Sequence, residues 1–255
     1  MNIIIVGAGR VGSALSQALN RSGNRILKII SRSGEKAEKL ARIIGCEYGN
    51  TLVIPPESEV IIVAVNDDAL FGVLKEIDLP GNAVIAHTAG SVSLDVFGNE
   101  IANHGVFYPL QTFTDGREYD FSTIPLFIEG NNDYSVNALQ SLAYSISETV
   151  FYLGSEKRKY LHLAAVFSCN FVNHMYYAGK EISGKAGMDF NVLIPLLRET
   201  MEKASDLGPE RSQTGPAVRN DKKTIEKHLD LLSFSSDLQR MYQVITDSII
   251  NKYTG

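Results

Sequence analysis

Short, uninterrupted apolar runs alternate with amphipathic stretches through the first part of the chain. Ile3–Val6, Arg25–Ile30, Val60–Val65 and Ala83–His87 are rich in β-branched residues, the pattern of strands buried on both faces. Between them, Arg10–Ser22, Glu35–Ile44 and Asp67–Glu76 carry apolar residues at helical spacing. A short strand is expected near Leu52-Val53, before Pro55-Pro56 breaks the chain. Val106–Tyr108 and Pro125–Ile128 read as later strands flanking a loop, Tyr134–Ile146 as a helix, and Thr149–Leu153 as the last strand. The alternation predicts an α/β domain with a doubly wound parallel sheet over residues 1–154.

After Gly154 the strand signals stop. Ser155–Ile182 reads as a long helix without proline, and Asp189–Leu207 as another with Asp189 as a plausible N-cap. Pro195 inside the second predicts a kink or an offset start. Gly208–Pro216 reads as a loop, and helices resume at Lys223–His228 and Ser235–Lys252. Residues 155–255 are therefore expected to form a smaller, all-α domain. Its long apolar helices would leave faces for a second copy to cover, which predicts a homodimer through this domain.

The most specific local pattern is Gly7-Ala8-Gly9-Arg10-Val11-Gly12, placed directly after the first strand and opening the first helix. That context is what a Rossmann-type dinucleotide fingerprint requires. Gly7 serves the tight turn, Gly9 lets the backbone approach a pyrophosphate, and Gly12 lets helix and strand pack closely. The helix N-terminus adds unpaired N–H groups and a positive dipole end. An acidic residue normally follows the second strand to bind the ribose hydroxyls, but Ser31-Arg32-Ser33 stands there instead. A guanidinium and two hydroxyls suit a 2′-phosphate, so NADP(H) is expected over NAD(H). Val65 and Asn66, at the end of a later strand, are expected near the nicotinamide-side ribose.

Composition narrows the partners. A net charge of −5 argues against nucleic acid. The two cysteines, Cys46 and Cys169, have no paired spacing, so neither a disulfide framework nor a thiolate metal site is expected. No run approaches the roughly 20 apolar residues of a membrane-spanning helix. The fingerprint begins too early for a signal peptide, and a cytoplasmic protein without membrane partners is expected.

Candidate chemistry sits at the strand ends, where ligands of open α/β sheets bind. His87-Thr88-Ala89-Gly90-Ser91 puts an imidazole and two hydroxyls on a small-residue turn. His87 is a candidate general acid or a strand-end core histidine, and Ser91 a candidate substrate contact. In Tyr108-Pro109-Leu110-Gln111-Thr112, Gln111 could fix an amide, a carboxylate or the nicotinamide, or only shape its loop. Asp67 and Asp68 read as the cap and first turn of the helix that follows them. Ser168, Asn170, Asn173 and His174 interrupt an apolar helix; Asn170 shares a face with both Asn173 and His174. Such a face could line a site, a core network or a dimer contact. Arg219 could bind a carboxylate, with Asp221 orienting it or capping the next helix.

Together these segments, with Ala164-Ala165-Val166-Phe167-Ser168-Cys169-Asn170-Phe171 and Gly215-Pro216-Ala217-Val218-Arg219-Asn220-Asp221, resemble a family of Rossmann-like NADP oxidoreductases with a helical C-terminal domain of unknown function. More distantly, the arrangement is similar to pyrroline-5-carboxylate reductase and the β-hydroxyacid dehydrogenases. That resemblance implies that the helix after the nucleotide domain contributes to the active site and to a dimer interface. The dehydrogenases carry a catalytic lysine four residues before an asparagine on that helix; here Val166 precedes Asn170 and Cys169 precedes Asn173 at that spacing. The expectation is NADPH-dependent reduction of a small imine or carbonyl substrate between the two domains, with His87, Ser91, Gln111 and Asn170 at the reacting end. The alternatives are a non-catalytic NADP(H)-binding sensor or scaffold, and a hydroxyacid dehydrogenase lacking its usual lysine.

Overall fold

The computed structural model describes residues Met1–Thr254. Its first part is a single sheet whose strands are β1 (Asn2–Val6), β2 (Arg25–Ile30), β3 (Glu47–Gly49), β4 (Val60–Val63), β5 (Val84–His87), β6 (His104–Pro109), β7 (Leu126–Gly130) and β8 (Val150–Tyr152). They lie in the order β3-β2-β1-β4-β5-β6-β7-β8. All neighbours are parallel except β6 and β7. The doubly wound α/β reading of the sequence therefore holds.

The apolar runs have no polar face because both sides are covered. Ile3, Ile5, Ile62 and Ala86 enter one core, with Leu15 and Leu19 of α1 (Arg10–Arg21), Leu40 of α2 (Gly34–Ile44) and Leu139 and Leu142 of α4 (Asp133–Tyr144). Ile4, Val6, Ile61, Val63 and Ile85 enter the other, with Leu70 and Leu74 of α3 (Asp67–Glu76). Successive side chains of each strand thus alternate between two hydrophobic layers.

Register decides where the strand ends emerge. Ile30 pairs with Val6, Val6 with Val63, Val63 with His87, and His87 with Val106. The segments that follow β1, β2, β4 and β5 consequently leave the sheet side by side along one edge.

The strand expected near Leu52-Val53 is not formed. Sheet pairing occurs earlier, where Glu47, Tyr48 and Gly49 add a short edge strand to β2. Val53 is exposed, and Leu52 packs as loop against the second core. An edge strand with exposed Glu47 and Tyr48 has no apolar run to announce it.

Compactness divides the chain into Met1–Asn170 and Phe171–Gly255. Helix α5 (Ser155–Ala165) belongs to the first unit although it follows the last strand. The reason is a buried ion pair: Arg158 of α5, fully inaccessible, binds Glu129 of β7, which also accepts hydrogen bonds from the backbone and hydroxyl of Ser155 at 2.9 and 2.7 Å. Arg158 further donates to the carbonyl of Val92, and Ser155 Oγ accepts from the Leu94 N–H at 2.9 Å. One network therefore joins β7, α5 and the segment after β5.

The helix expected over Ser155–Ile182 is helical throughout but changes its winding. Val166–Phe171 forms a π-helical turn before α6 (Val172–Lys185). Within the second unit, Asp189 accepts from the Asn191 N–H and caps a short 3₁₀ turn, and α7 (Ile194–Leu207) starts beyond it with Pro195 in its first turn. The offset start avoids the clash a proline causes deeper in a helix. A short helix, α8 (Pro209–Ser212), occupies part of the expected loop, followed by α9 (Lys222–Leu231) and α10 (Ser236–Thr254). Among the described residues, no helix is long and apolar enough to cross a membrane.

Candidate active site

The glycine fingerprint forms the turn its spacing requires. Gly7 has φ +113°, a left-handed value that other residues rarely adopt, and a Cβ there would lie 2.2 Å from the Ala64 carbonyl oxygen. A Cβ on Gly12 would lie 1.9 Å from the Gly7 carbonyl oxygen, so strand, turn and helix are in direct backbone contact. Gly9 is different: nothing in the protein lies within 4 Å of the position its Cβ would take. That leaves its backbone open at the start of α1.

Beside this turn lies a cavity of about 560 Å³. It is lined by Gly7, Ala8 and Gly9, by Ser31, Arg32, Ser33 and Lys36, and by Val65 and Asn66. Arg32 and Lys36 are exposed, as a phosphate-binding pair at a cavity mouth would be. Arg10 points elsewhere and approaches Asp115 at 3.8 Å, while Val11 is half-buried on α1. The donors fit an NADP cofactor: an uncapped helix start for the pyrophosphate and a guanidinium between two hydroxyls for the 2′-phosphate. No acidic side chain stands at positions 31–33 to repel that phosphate.

At the next strand end, Asn66 occupies the N-cap position of α3, and Asp67 and Asp68 form its first turn. Ser91 donates its hydroxyl proton to Asp67 at 2.6 Å. The turn after β5 is thereby tied to the first residue of α3, between Asn66 and Asp68, which line the cavity.

His87 does not present a proton to that turn. Its side chain is fully buried and stacks on Phe97, with centroids 5.5 Å apart. Nδ1 accepts the Ala89 N–H at 3.2 Å, which puts the ring proton on Nε2, where no well-formed hydrogen bond receives it. Burial, and then the Arg158 charge, push its pKa down to about 3, with partial relief from the Ser93 backbone. The ring stays neutral and sealed, a core histidine rather than the proton donor the sequence offered.

The group that covers the turn is instead Tyr108 with His162. Tyr108, the penultimate residue of β6, is buried and lies 3.0 Å through its hydroxyl from Nδ1 of His162 on α5. A Cβ on Gly90 would meet His162 Nδ1 at 2.6 Å and the Tyr108 ring at 2.7 Å, so both rings rest directly on the turn. Burial is the main cause that pushes the Tyr108 hydroxyl up to about 12, with Arg158 opposing and Cys169 adding to the rise. His162 is half-buried and falls one helical turn after Arg158, whose anchor fixes this face of α5. The two residues are distant in sequence, so local spacing carries no sign of the pair.

Gln111 is exposed on the loop after β6, where its Oε1 accepts the Thr112 N–H at 2.8 Å. Asn170 is exposed within the π-helical turn, an irregularity frequent at functional sites. Asn173 and His174 follow on α6 and are exposed like Asn170. In the second unit, Asp221 caps α9 through Thr224, whose hydrogen bonds hold its carboxyl below the usual range, while Arg219 is exposed.

Comparison with known proteins agrees with the fold and the cofactor. Residues 2–90 match a family described as NADP oxidoreductase, coenzyme F420-dependent, and residues 124–249 match a domain of unknown function. A Bacteroides fragilis protein provisionally designated an NADP oxidoreductase is 39% identical, covers 98% of both chains and superposes with a TM-score of 0.90. The 1-pyrroline-5-carboxylate reductase of Streptococcus pyogenes shares the fold at 16% identity over 98% of each chain, with a TM-score of 0.65. A Streptomyces coelicolor glutamyl-tRNA reductase is 31% identical over 99 residues, and the match spans only 17% of that protein's length.

Proposed function

We propose that this chain, which belongs to the NADP oxidoreductase family of the Bacteroides fragilis protein, uses NADPH to reduce a small imine or carbonyl compound. NADP(H) is the cofactor of the family. The observation that carries the reading is the Ser91–Asp67 link, which joins a polar turn to the segment whose Val65, Asn66 and Asp68 line the cofactor cavity. The fold shared with a reductase of a cyclic imine supports the substrate class.

In this reading Gly7, Ala8 and Gly9 admit the pyrophosphate, Gly12 lets α1 start close against the turn, and Ser31, Arg32, Ser33 and Lys36 hold the 2′-phosphate. Val65 and Asn66 border the nicotinamide end. When bound, the reduced nicotinamide supplies the hydride. Ser91, Gln111 and Asn170 place the acceptor; Ser91 does so while donating to Asp67, leaving its oxygen free to accept. The helical segment after Gly154 supplies the contacts of a homodimer, a proposal supported by exposed Leu196, Met201, Leu231 and Val244.

The test is NADPH oxidation by purified protein over a panel of cyclic imines and 2-oxo acids, with product identified by deuterium transfer from labelled cofactor. Turnover with an imine or carbonyl supports the reading. Tight NADPH binding without turnover across the panel would make the protein a sensor.

A further inference from the structure

We infer that His162 is the proton donor for this reduction and that Tyr108 is its positioning residue, an inference that rests on the reductase reading above. Three observations meet here. The Tyr108–His162 pair lies on Gly90, in the turn that Ser91 ties to the cofactor cavity. The imidazole is half-buried, so Nε2 can face an acceptor while Nδ1 is held by the Tyr108 hydroxyl. And the helix that carries it is anchored one turn earlier by the Arg158–Glu129 network.

The chemistry balances without another reagent. The acceptor carbon gains a hydride from the reduced nicotinamide, which is oxidised. The acceptor nitrogen or oxygen gains the Nε2 proton of the His162 imidazolium, whose N–H bond breaks as the product N–H or O–H bond forms. Nδ1 keeps its proton and donates it to the Tyr108 oxygen. His162 then regains its lost proton from solvent. Tyr108, held neutral by burial, accepts from Nδ1–H while His162 is charged and donates to Nδ1 when Nε2 carries the proton of the neutral ring.

His162→Ala is expected to lower kcat by about 100-fold or more, the range of general acid catalysis, with the NADPH Kd within about twofold of wild type. Added imidazole should restore part of the rate. Tyr108→Phe should lower kcat by roughly tenfold with the same unchanged Kd. Independently of turnover, ¹⁵N spectra of histidine-labelled protein without cofactor should show one neutral tautomer for His162, lost in Tyr108→Phe. A wild type that reduces an acceptor while His162→Ala keeps its kcat overturns the inference and leaves the reductase reading standing. Loss of NADPH affinity together with rate, or no rescue by imidazole, overturns it in favour of a structural role. A tautomer mixture unchanged by Tyr108→Phe overturns the role of Tyr108. A wild type that binds NADPH but reduces nothing overturns both.

Discussion

Replacing Arg32 by alanine tests the cofactor assignment at its most discriminating point. Arg32 lines the cavity between Ser31 and Ser33, where NADPH would carry a 2′-phosphate and NADH a hydroxyl. A hydrogen bond to a charged group is worth about 1.5–3 kcal/mol. Arg32 is exposed, so solvent screening sets its contribution near the lower end, roughly 1.5–2 kcal/mol. At 1.4 kcal/mol per tenfold, the NADPH Kd should rise about 10- to 30-fold in Arg32→Ala. The NADH Kd should move by less than about twofold, because the lost side chain has no charged partner there. Titration calorimetry with both cofactors measures the two ratios. Raising the ionic strength should weaken NADPH binding more in wild type than in the variant. Equal losses for the two cofactors would refute the phosphate assignment, and an unchanged NADPH Kd would remove Arg32 from the site.

Three further outcomes follow from the same coordinates. Gly9→Ala should leave thermal stability nearly unchanged, since its Cβ meets no protein atom, yet weaken NADPH and NADH alike; Gly12→Ala should weaken both and cost about 1–3 kcal/mol of stability through its contact with the Gly7 carbonyl. A Gly9→Ala variant with wild-type affinity would place the pyrophosphate elsewhere. For His87 the ordinary pKa of 6.5 falls to about 3 on folding, so the unfolded chain binds the extra proton as pH drops through that window and stability is lost. Urea unfolding should therefore show about 2–3 kcal/mol more loss between about pH 7.5 and 4.5 in wild type than in His87→Phe, and parallel curves would contradict the burial argument. Sedimentation equilibrium should give a dimer at micromolar concentration, shifted toward monomer by Leu196→Glu or Met201→Glu; a wild-type monomer would refute the homodimer.

What the sequence shows follows from how far apart the interacting residues lie. The fingerprint is local: Gly7, Gly9 and Gly12 act on backbone a few residues away, so their spacing already states the geometry that Gly7's φ and the Gly12 contact display. The central strands are legible for a similar reason, because burial on both faces leaves an apolar run. Edge strand β3 is not, since pairing through the backbone of Glu47–Gly49 demands nothing of its side chains. Nor does the apolar periodicity of the long helix disclose the π-helical turn at Val166–Phe171.

His87 shows a different kind of limit. Its sequence neighbours are small and polar, which reads as an open turn, but Phe97 stacks on the ring and Arg158 lies near enough to oppose its protonation. Both come from later segments. The same Arg158, through Glu129, Val92 and Ser155, holds α5 where His162 meets Tyr108 over Gly90. A buried charge pair is costly to assemble, and removing one partner leaves the other unpaired at a cost of about 3–5 kcal/mol. Its consequence for the site is positional: the arginine whose charge adds to the burial that keeps His87 neutral also sets His162 on the turn. The sequence supplies both imidazoles, and only the tertiary packing decides that the later one, at 162, has the accessible ring.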